Sequence, residues 1–216
     1  MFRRGDDGVF RAETLARLSW LEHGFGTRLS TGWPAHNRLA TAKQVHSNHV
    51  LRVEATGLQG EGDALISNQP DIGLTIRTAD CLPILIADPR NRAVAAVHAG
   101  WRGVVSEIAP KAVEAMTHHF GSKPEELVIA VGPGIGPCCF EVGPEVAAQF
   151  ELSGRVKVDL VETMCRQLGR NGVSRGQISI SGLCSCCDRE LFESYRRDRE
   201  AAGRMVAMIG LTGGTN

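Results

Sequence analysis

Over 216 residues the chain carries 24 basic and 24 acidic side chains, a formal net charge of zero. No basic patch or acidic tail supports binding to nucleic acid or a membrane surface, and no apolar run is long enough to span a bilayer. With 43% hydrophobic residues there is material for a sizeable core, and the length fits one domain, at most two.

The start, Met1-Phe2-Arg3-Arg4-Gly5-Asp6-Asp7, is followed by no secretory apolar run. A cytoplasmic location is therefore expected, with the seven cysteines mostly reduced. Residues 1–40 are weakly patterned, with Gly24-Phe25-Gly26-Thr27-Arg28 and Thr31-Gly32-Trp33-Pro34 reading as turns around short strands. Beyond residue 43 the pattern sharpens. Val50-Leu51-Arg52-Val53 reads as a strand, as does Asp63-Ala64-Leu65-Ile66, entered through a turn at Gly60-Glu61-Gly62. Gly73-Leu74-Thr75-Ile76-Arg77 alternates as half-buried strands do. Leu82-Pro83-Ile84-Leu85-Ile86-Ala87 is a fuller apolar run ending in the turn Asp88-Pro89-Arg90-Asn91, and Ala93-Val94-Ala95-Ala96-Val97 suits the centre of a sheet.

A helix is expected after Gly103 to about Phe120, kinked or restarted by Pro110. A strand ends at Gly132, a short helix spans Gly143 to Phe150, and Asp159-Leu160-Val161-Glu162 has capping-box spacing for a helix reaching Arg170. Ile178-Ser179-Ile180 and Met205-Val206-Ala207-Met208-Ile209 are late strands. Strands outnumber helices without regular alternation. The predicted class is therefore α/β (α+β layered), with mixed sheets flanked by helices rather than a doubly wound parallel sheet.

Three triplets next to these strands carry metal ligands or nucleophiles: Gln44-Val45-His46, Ala79-Asp80-Cys81 and Val97-His98-Ala99. Two imidazoles and a thiol make a three-ligand zinc site with an open fourth position, and equally a Cys–His nucleophile pair. Taken singly, His46 also reads as a surface histidine, Cys81 as inert packing and His98 as a satisfied core histidine. Asp80 is placed to shuttle a proton if it faces the site.

Arg102, in a turn before a helix and between Gly100 and Gly103, suits a phosphate or an oxyanion, or else is simply solvated. The glycine loop Gly132-Pro133-Gly134-Ile135-Gly136-Pro137-Cys138-Cys139 lets backbone approach a ligand, although a structural turn reads as well. Tyr195-Arg196-Arg197-Asp198 suits phosphate or an internal Arg–Asp pair. Cys184-Ser185-Cys186-Cys187 contains a C-x-x-C, but neither a second C-x-x-C nor a histidine pair completes a structural zinc site. Packing with one or two accessible thiols is the expected role.

Several motifs together resemble the bacterial laccase-domain family, also called multicopper polyphenol oxidoreductase or purine nucleoside phosphorylase. They are Lys43-Gln44-Val45-His46, Gly62-Asp63-Ala64-Leu65-Ile66, Thr78-Ala79-Asp80-Cys81-Leu82-Pro83 and Val97-His98-Ala99-Gly100-Trp101-Arg102-Gly103. Gly136-Pro137-Cys138-Cys139-Phe140-Glu141-Val142-Gly143, Ser194-Tyr195-Arg196-Arg197-Asp198 and Gly203-Arg204-Met205 complete the set, in family order over roughly residues 43–211.

The resemblance implies a layered α/β fold similar to that of the Cys–His protein deamidases and deamidase toxins. It also implies zinc, with copper the other metal, on His46, Cys81 and His98. The implied activity is phosphorolysis of adenosine, inosine and methylthioadenosine, with adenosine deamination beside it. Arg102, with Arg28 or Arg196 and the loop around Gly134, would hold the substrates. One domain over 1–216 is expected, as a monomer or homodimer, with a shortened N-terminal segment 1–42 in which Gly26-Thr27-Arg28 stands where the family has a longer Thr-Arg-x-Gly-Gly stretch. Ser47 stands for a common glycine and Glu193 for a common aromatic.

Three other chemistries use the same residues. A metal-free Cys81–His98 amidohydrolase leaves His46 without a task. Copper oxidation of phenols by a multicopper cluster would have to draw on His23, His36, His49, His118 and His119, which are scattered. A binding module with a structural metal lacks an obvious fourth ligand.

Overall fold

The structure is a computed structural model that describes residues 1–35 and 37–212; His36, one of the histidines left over for a copper cluster, lies outside them. The strands are β1 (Phe2–Arg4), β2 (Phe10–Ala12), β3 (Leu21–Phe25), β4 (Leu39–Lys43), β5 (Val50–Arg52), β6 (Gly57–Glu61), β7 (Ala64–Ser67), β8 (Gly73–Thr78), β9 (Leu82–Asp88), β10 (Ala93–Ala99), β11 (Val128–Val131), β12 (Glu141–Val142), β13 (Val156–Lys157), β14 (Ile178–Ile180) and β15 (Met205–Leu211). The helices are α1 (Glu13–Ala16), α2 (Trp101–Val105), α3 (Ile108–Phe120), α4 (Pro144–Ala148), α5 (Leu160–Arg170) and α6 (Tyr195–Asp198).

A seven-stranded sheet runs β1-β2-β3-β15-β8-β4-β6, and a six-stranded sheet runs β14-β11-β9-β10-β7-β5. Both are mixed: β4 is parallel to β6 and β8, and β5 to β7, among antiparallel neighbours. Successive side chains of a strand point to opposite faces, and the core divides accordingly. Ala93, Ala95 and Val97 of β10 pack with α3 and α5 residues such as Val113, Met116 and Leu168. Val94 and Ala96 join Leu74, Ile76, Ala207 and Ile209 of the other sheet. The six-stranded sheet is thus the middle of three layers, which is why β9 and β10 read as continuous apolar runs. Each fully buried Leu or Ile there contributes about 1.5–3 kcal/mol.

The α/β layered class stands. The helix expected after Gly103 begins earlier, at Trp101, and breaks at Glu107, whose φ of 60° is left-handed. The chain restarts as α3 with Pro110 in its first turn, where a missing N–H costs no helix bond. Asp159 caps α5 as expected, accepting from the Glu162 amide at 2.9 Å. The turn expected at Gly60-Glu61 is instead the end of strand β6, held by parallel pairing with β4. The weakly patterned start forms three strands and α1, joined to the rest through β3 and β15. No helix among the described residues is long and apolar enough to cross a membrane.

Candidate active site

Strand register gathers the site. β10 pairs antiparallel with β9, setting Ala99 against Leu82, and with β7, setting Val97 against Ala64. Cys81 precedes Leu82 and Asp63 precedes Ala64, so both reach the sheet edge where β10 ends in His98 and Ala99. The ladder continues one step further, with His98 N–H donating to the Asp63 carbonyl at 2.7 Å. His46 comes from the loop after β4. Ligand atoms of His46, Cys81 and His98 all lie within 4.8 Å of one another.

Asp63 organises this cluster. Its side chain is withdrawn from solvent and accepts the backbone amides of Val45 at 3.3 Å, His46 at 3.0 Å and Ser47 at 2.6 Å, together with the Ser47 hydroxyl at 2.7 Å. These bonds hold the Val45–Ser47 turn in which His46 takes the left-handed φ of 60°. The other partner of Asp63 is His98 Nδ1 at 2.8 Å, which leaves Nε2 of that ring for the site. A carboxylate on the remote nitrogen is the usual partner of a metal-binding imidazole.

The His46 Nε2 atom lies 3.8 Å from Cys81 Sγ. Gly100 makes room for both: a Cβ there would stand 2.9 Å from His46 Cδ2 and 3.0 Å from Cys81 Sγ. Burial pushes the Cys81 thiol up, but the two imidazoles outweigh it and bring the thiol down to about 7. Burial likewise depresses His98, and Asp63 with Cys81 outweigh it, raising His98 to about 9. Asp63 itself is held well below the usual carboxylate range, its burial outweighed by the bonds from His98 and Ser47. Two imidazoles and a readily formed thiolate are a fitting donor set for zinc or copper, and three ligands leave a position open for substrate or water.

The centre opens into a cleft of about 440 Å³, within the ~300–1,000 Å³ of small-molecule sites. Ile135, Phe140 and Leu160 give an apolar wall, Trp101 and Tyr195 aromatic faces, and Arg102, Arg196, Arg199 and Arg204 four guanidinium groups.

A family described as "Multi-copper polyphenol oxidoreductase laccase" matches residues 27–212. The chain belongs to this laccase family. A relative named "Purine nucleoside phosphorylase" from Deinococcus radiodurans is 40% identical over 96% of this chain and 80% of its own length. The Bacillus subtilis protein named "Purine nucleoside phosphorylase YlmD" is 31% identical over 79% of this chain and 69% of its own. Among solved structures, YlmD from Geobacillus stearothermophilus superposes with a TM-score of 0.89 at 27% identity, covering 98% of this chain and 99% of that one.

Within this laccase-family site, five of the expected residues need comment. Arg102 lines the cleft as expected, but from inside α2; its guanidinium stacks 4.3 Å from the Trp101 ring centroid and forms no ion pair among the described residues. Arg196 also lines it, donating to the carbonyls of Cys139 at 3.3 Å and Glu141 at 2.8 Å. Arg28 does not reach it, because its donors are spent on Glu193 at 2.8 Å, Asp198 at 3.4 Å and the Arg189 carbonyl at 3.1 Å. Gly134 does not line the cleft or offer it an amide: its N–H is directed at the Leu183 carbonyl, and a Cβ would meet Leu82 at 2.7 Å.

Asp80 lines the cleft, with both carboxylate oxygens engaged by the Ser185 hydroxyl at 2.7 Å and the Arg196 amide at 2.6 Å. This geometry suits positioning the Arg196 segment rather than carrying a proton. Sequence reasoning missed Asp63, whose signal was an acid opening an otherwise apolar strand. It also missed Arg199 and Arg204.

Proposed function

We propose that the chain is a zinc-dependent purine nucleoside enzyme that phosphorolyses adenosine, inosine and methylthioadenosine and also deaminates adenosine. The observation that carries this reading is the composition of one cleft. His46 and Cys81 of the His46–Cys81–His98 centre line it, with apolar and aromatic side chains beside four guanidinium groups that form no ion pair among the described residues. Aromatic faces and an apolar wall suit a purine. Guanidinium forks suit phosphate. The names of the relatives support the same class.

In phosphorolysis a phosphate oxygen bonds to the anomeric carbon as the glycosidic bond breaks, and the purine leaves with the electron pair. Arg102, which stacks on Trp101 and forms no ion pair among the described residues, is the residue assigned to phosphate, with Arg196 held at the same cleft by its two carbonyls. Trp101, Phe140 and Tyr195 hold the base. His46, Cys81 and His98 would hold the metal, with Asp63 setting the His98 ring. Zinc bound there supplies a Lewis acid and a water whose pKa falls to about 7, the chemistry deamination requires.

Among the described residues, only two groups of three or more His, Cys or carboxylate ligand atoms are close enough to share an ion, and this centre is the one containing histidine. His23 is engaged elsewhere, accepting the Ala12 amide at 3.0 Å. A multicopper cluster therefore has no assembled ligand set among the described residues, while single copper occupancy of the same centre remains chemically suited.

One observation favours a second reading. The Cys81 thiol at about 7, beside a His98 imidazole raised to about 9 and oriented by Asp63, is also an activated nucleophile arrangement. Incubating purified protein with adenosine, with and without phosphate, and separating the bases by chromatography tests the proposal. Phosphate-dependent adenine together with inosine supports it. Absence of both products overturns it.

A further inference from the structure

A second convergence of sulfur lies beside the cleft. Cys138 and Cys139 close the glycine loop after β11, and Cys184 and Cys187 belong to the loop after β14. The four sulfur atoms all lie within 4.8 Å of one another. Cys187 Sγ is 3.5 Å from Cys138 Sγ and 3.4 Å from Cys139 Sγ. The loops are laced together by a parallel bridge between Gly134 and Cys184, and by the Ser185 amide donating to the Gly134 carbonyl at 2.9 Å. The C-x-x-C of residues 184–187, which lacked partner ligands in the linear sequence, finds them in the adjacent pair 138–139.

The distances fit a metal better than a disulfide. Tetrahedral zinc with Zn–S bonds of about 2.3 Å has S···S edges of about 3.8 Å, near the observed 3.4 and 3.5 Å. A disulfide joins two sulfurs, whereas Cys187 stands almost equidistant from two. The Gly136 N–H points at Cys184 Sγ from 3.2 Å, a bond that steadies charge on a thiolate. Cys138 and Cys187 are exposed and Cys139 and Cys184 half-buried, so an ion can enter from solvent.

We propose that Cys138, Cys139, Cys184 and Cys187 form a closed tetrathiolate site for one zinc ion, which clasps the glycine loop to the loop preceding α6. On binding, each thiol yields its proton to solvent and each sulfur gives an electron pair to the ion, so the four thiolates and the dication carry a net charge of minus two. Arg196, donating to the Cys139 carbonyl, sets positive charge beside it, whereas Arg197, donating to the Cys186 carbonyl at 3.2 Å, shares its charge with Asp198 at 2.6 Å. With all four positions filled by protein the ion has no catalytic place. Its effect on the cleft passes through Ser185, which bonds Asp80, and through Cys139, which accepts from Arg196.

The test is metal content by elemental mass spectrometry on full-length protein purified under reductant and loaded with zinc. It is run on the wild type, a Cys138→Ser, Cys187→Ser double variant, and Cys81→Ala. The wild type should hold two ions per chain. The double variant and Cys81→Ala should each lose one, and different ones. Cobalt-loaded Cys81→Ala should keep the strong sulfur-to-cobalt charge-transfer band and visible bands of a tetrahedral sulfur site, a readout that does not depend on whether the double variant folds. A Cys81→Ala protein with no bound ion and no such bands would overturn the proposal. So would a double variant with undiminished metal. Neither readout involves nucleoside turnover, so the outcome stands apart from the enzymatic reading.

Discussion

His98 Nδ1 and Asp63 Oδ1 lie 2.8 Å apart, both almost wholly withdrawn from solvent. The same carboxylate gathers the backbone of Val45, His46 and Ser47. One buried acid therefore orients two of the three ligands of the centre, one through its ring and the other through its backbone.

Asp63→Asn keeps the shape and removes the charge. Partners of this kind typically cost ten- to a hundredfold in metal affinity when changed. Competition against a chelator should show a loss of about that size, and an unchanged affinity would remove Asp63 from its organising role.

Gly100 has an ordinary φ of −71°, so a side chain there meets only steric resistance from His46 and Cys81. Gly100→Ala should lower metal content and turnover sharply while leaving the unfolding midpoint nearly unchanged. Gly169, inside α5 with nothing within 4 Å of an added Cβ, is the control. Gly169→Ala should keep activity and stabilise the chain by up to about 1 kcal/mol.

The two arginines expected to share phosphate should separate kinetically. Arg102→Ala should raise the KM for phosphate about tenfold or more, with a smaller change in the KM for nucleoside. Arg28→Ala, its partners being Glu193 and Asp198, should leave the phosphate KM alone. Equal effects from both would contradict the assignment.

His23 makes stability depend on pH. Burial, and then the charge of Arg11, lower its pKa to about 4. The unfolded chain, with an ordinary value near 6.5, takes up the proton first. The contribution is therefore fully present above about pH 6.5 and is lost as the pH falls toward 4, by about 2.5 kcal/mol at pH 4.5. Urea unfolding of the wild type at pH 7 and 4.5, compared with His23→Gln, should show the smaller pH dependence in the variant. Identical slopes would show that His23 does not titrate between the two states.

The layered α/β class and the central strands were legible because β9 and β10 are apolar on both faces and end in clear turns. The three ligands were legible as residue types at strand ends. Their convergence was not, since it depends on the register of Ala99 with Leu82 and Val97 with Ala64, which no local pattern encodes. The first three strands are short, and β3 is held by pairing with β15 near the far end of the chain, so local propensity is faint there. The sequence offered Arg28, like Arg196, as a companion of Arg102 at phosphate. The acids brought to it from residues 193 and 198 engage it away from the cleft that Arg102 lines.

The central claim is that His46, Cys81 and His98 carry turnover of purine nucleosides. Its most direct test is adenine and inosine formation from adenosine in phosphate buffer, measured side by side for the wild type and Cys81→Ala, with folding checked by circular dichroism. The expected result is product from the wild type and at least a hundredfold less from a folded Cys81→Ala protein. Equal product from both would place the chemistry elsewhere in the molecule and contradict the account.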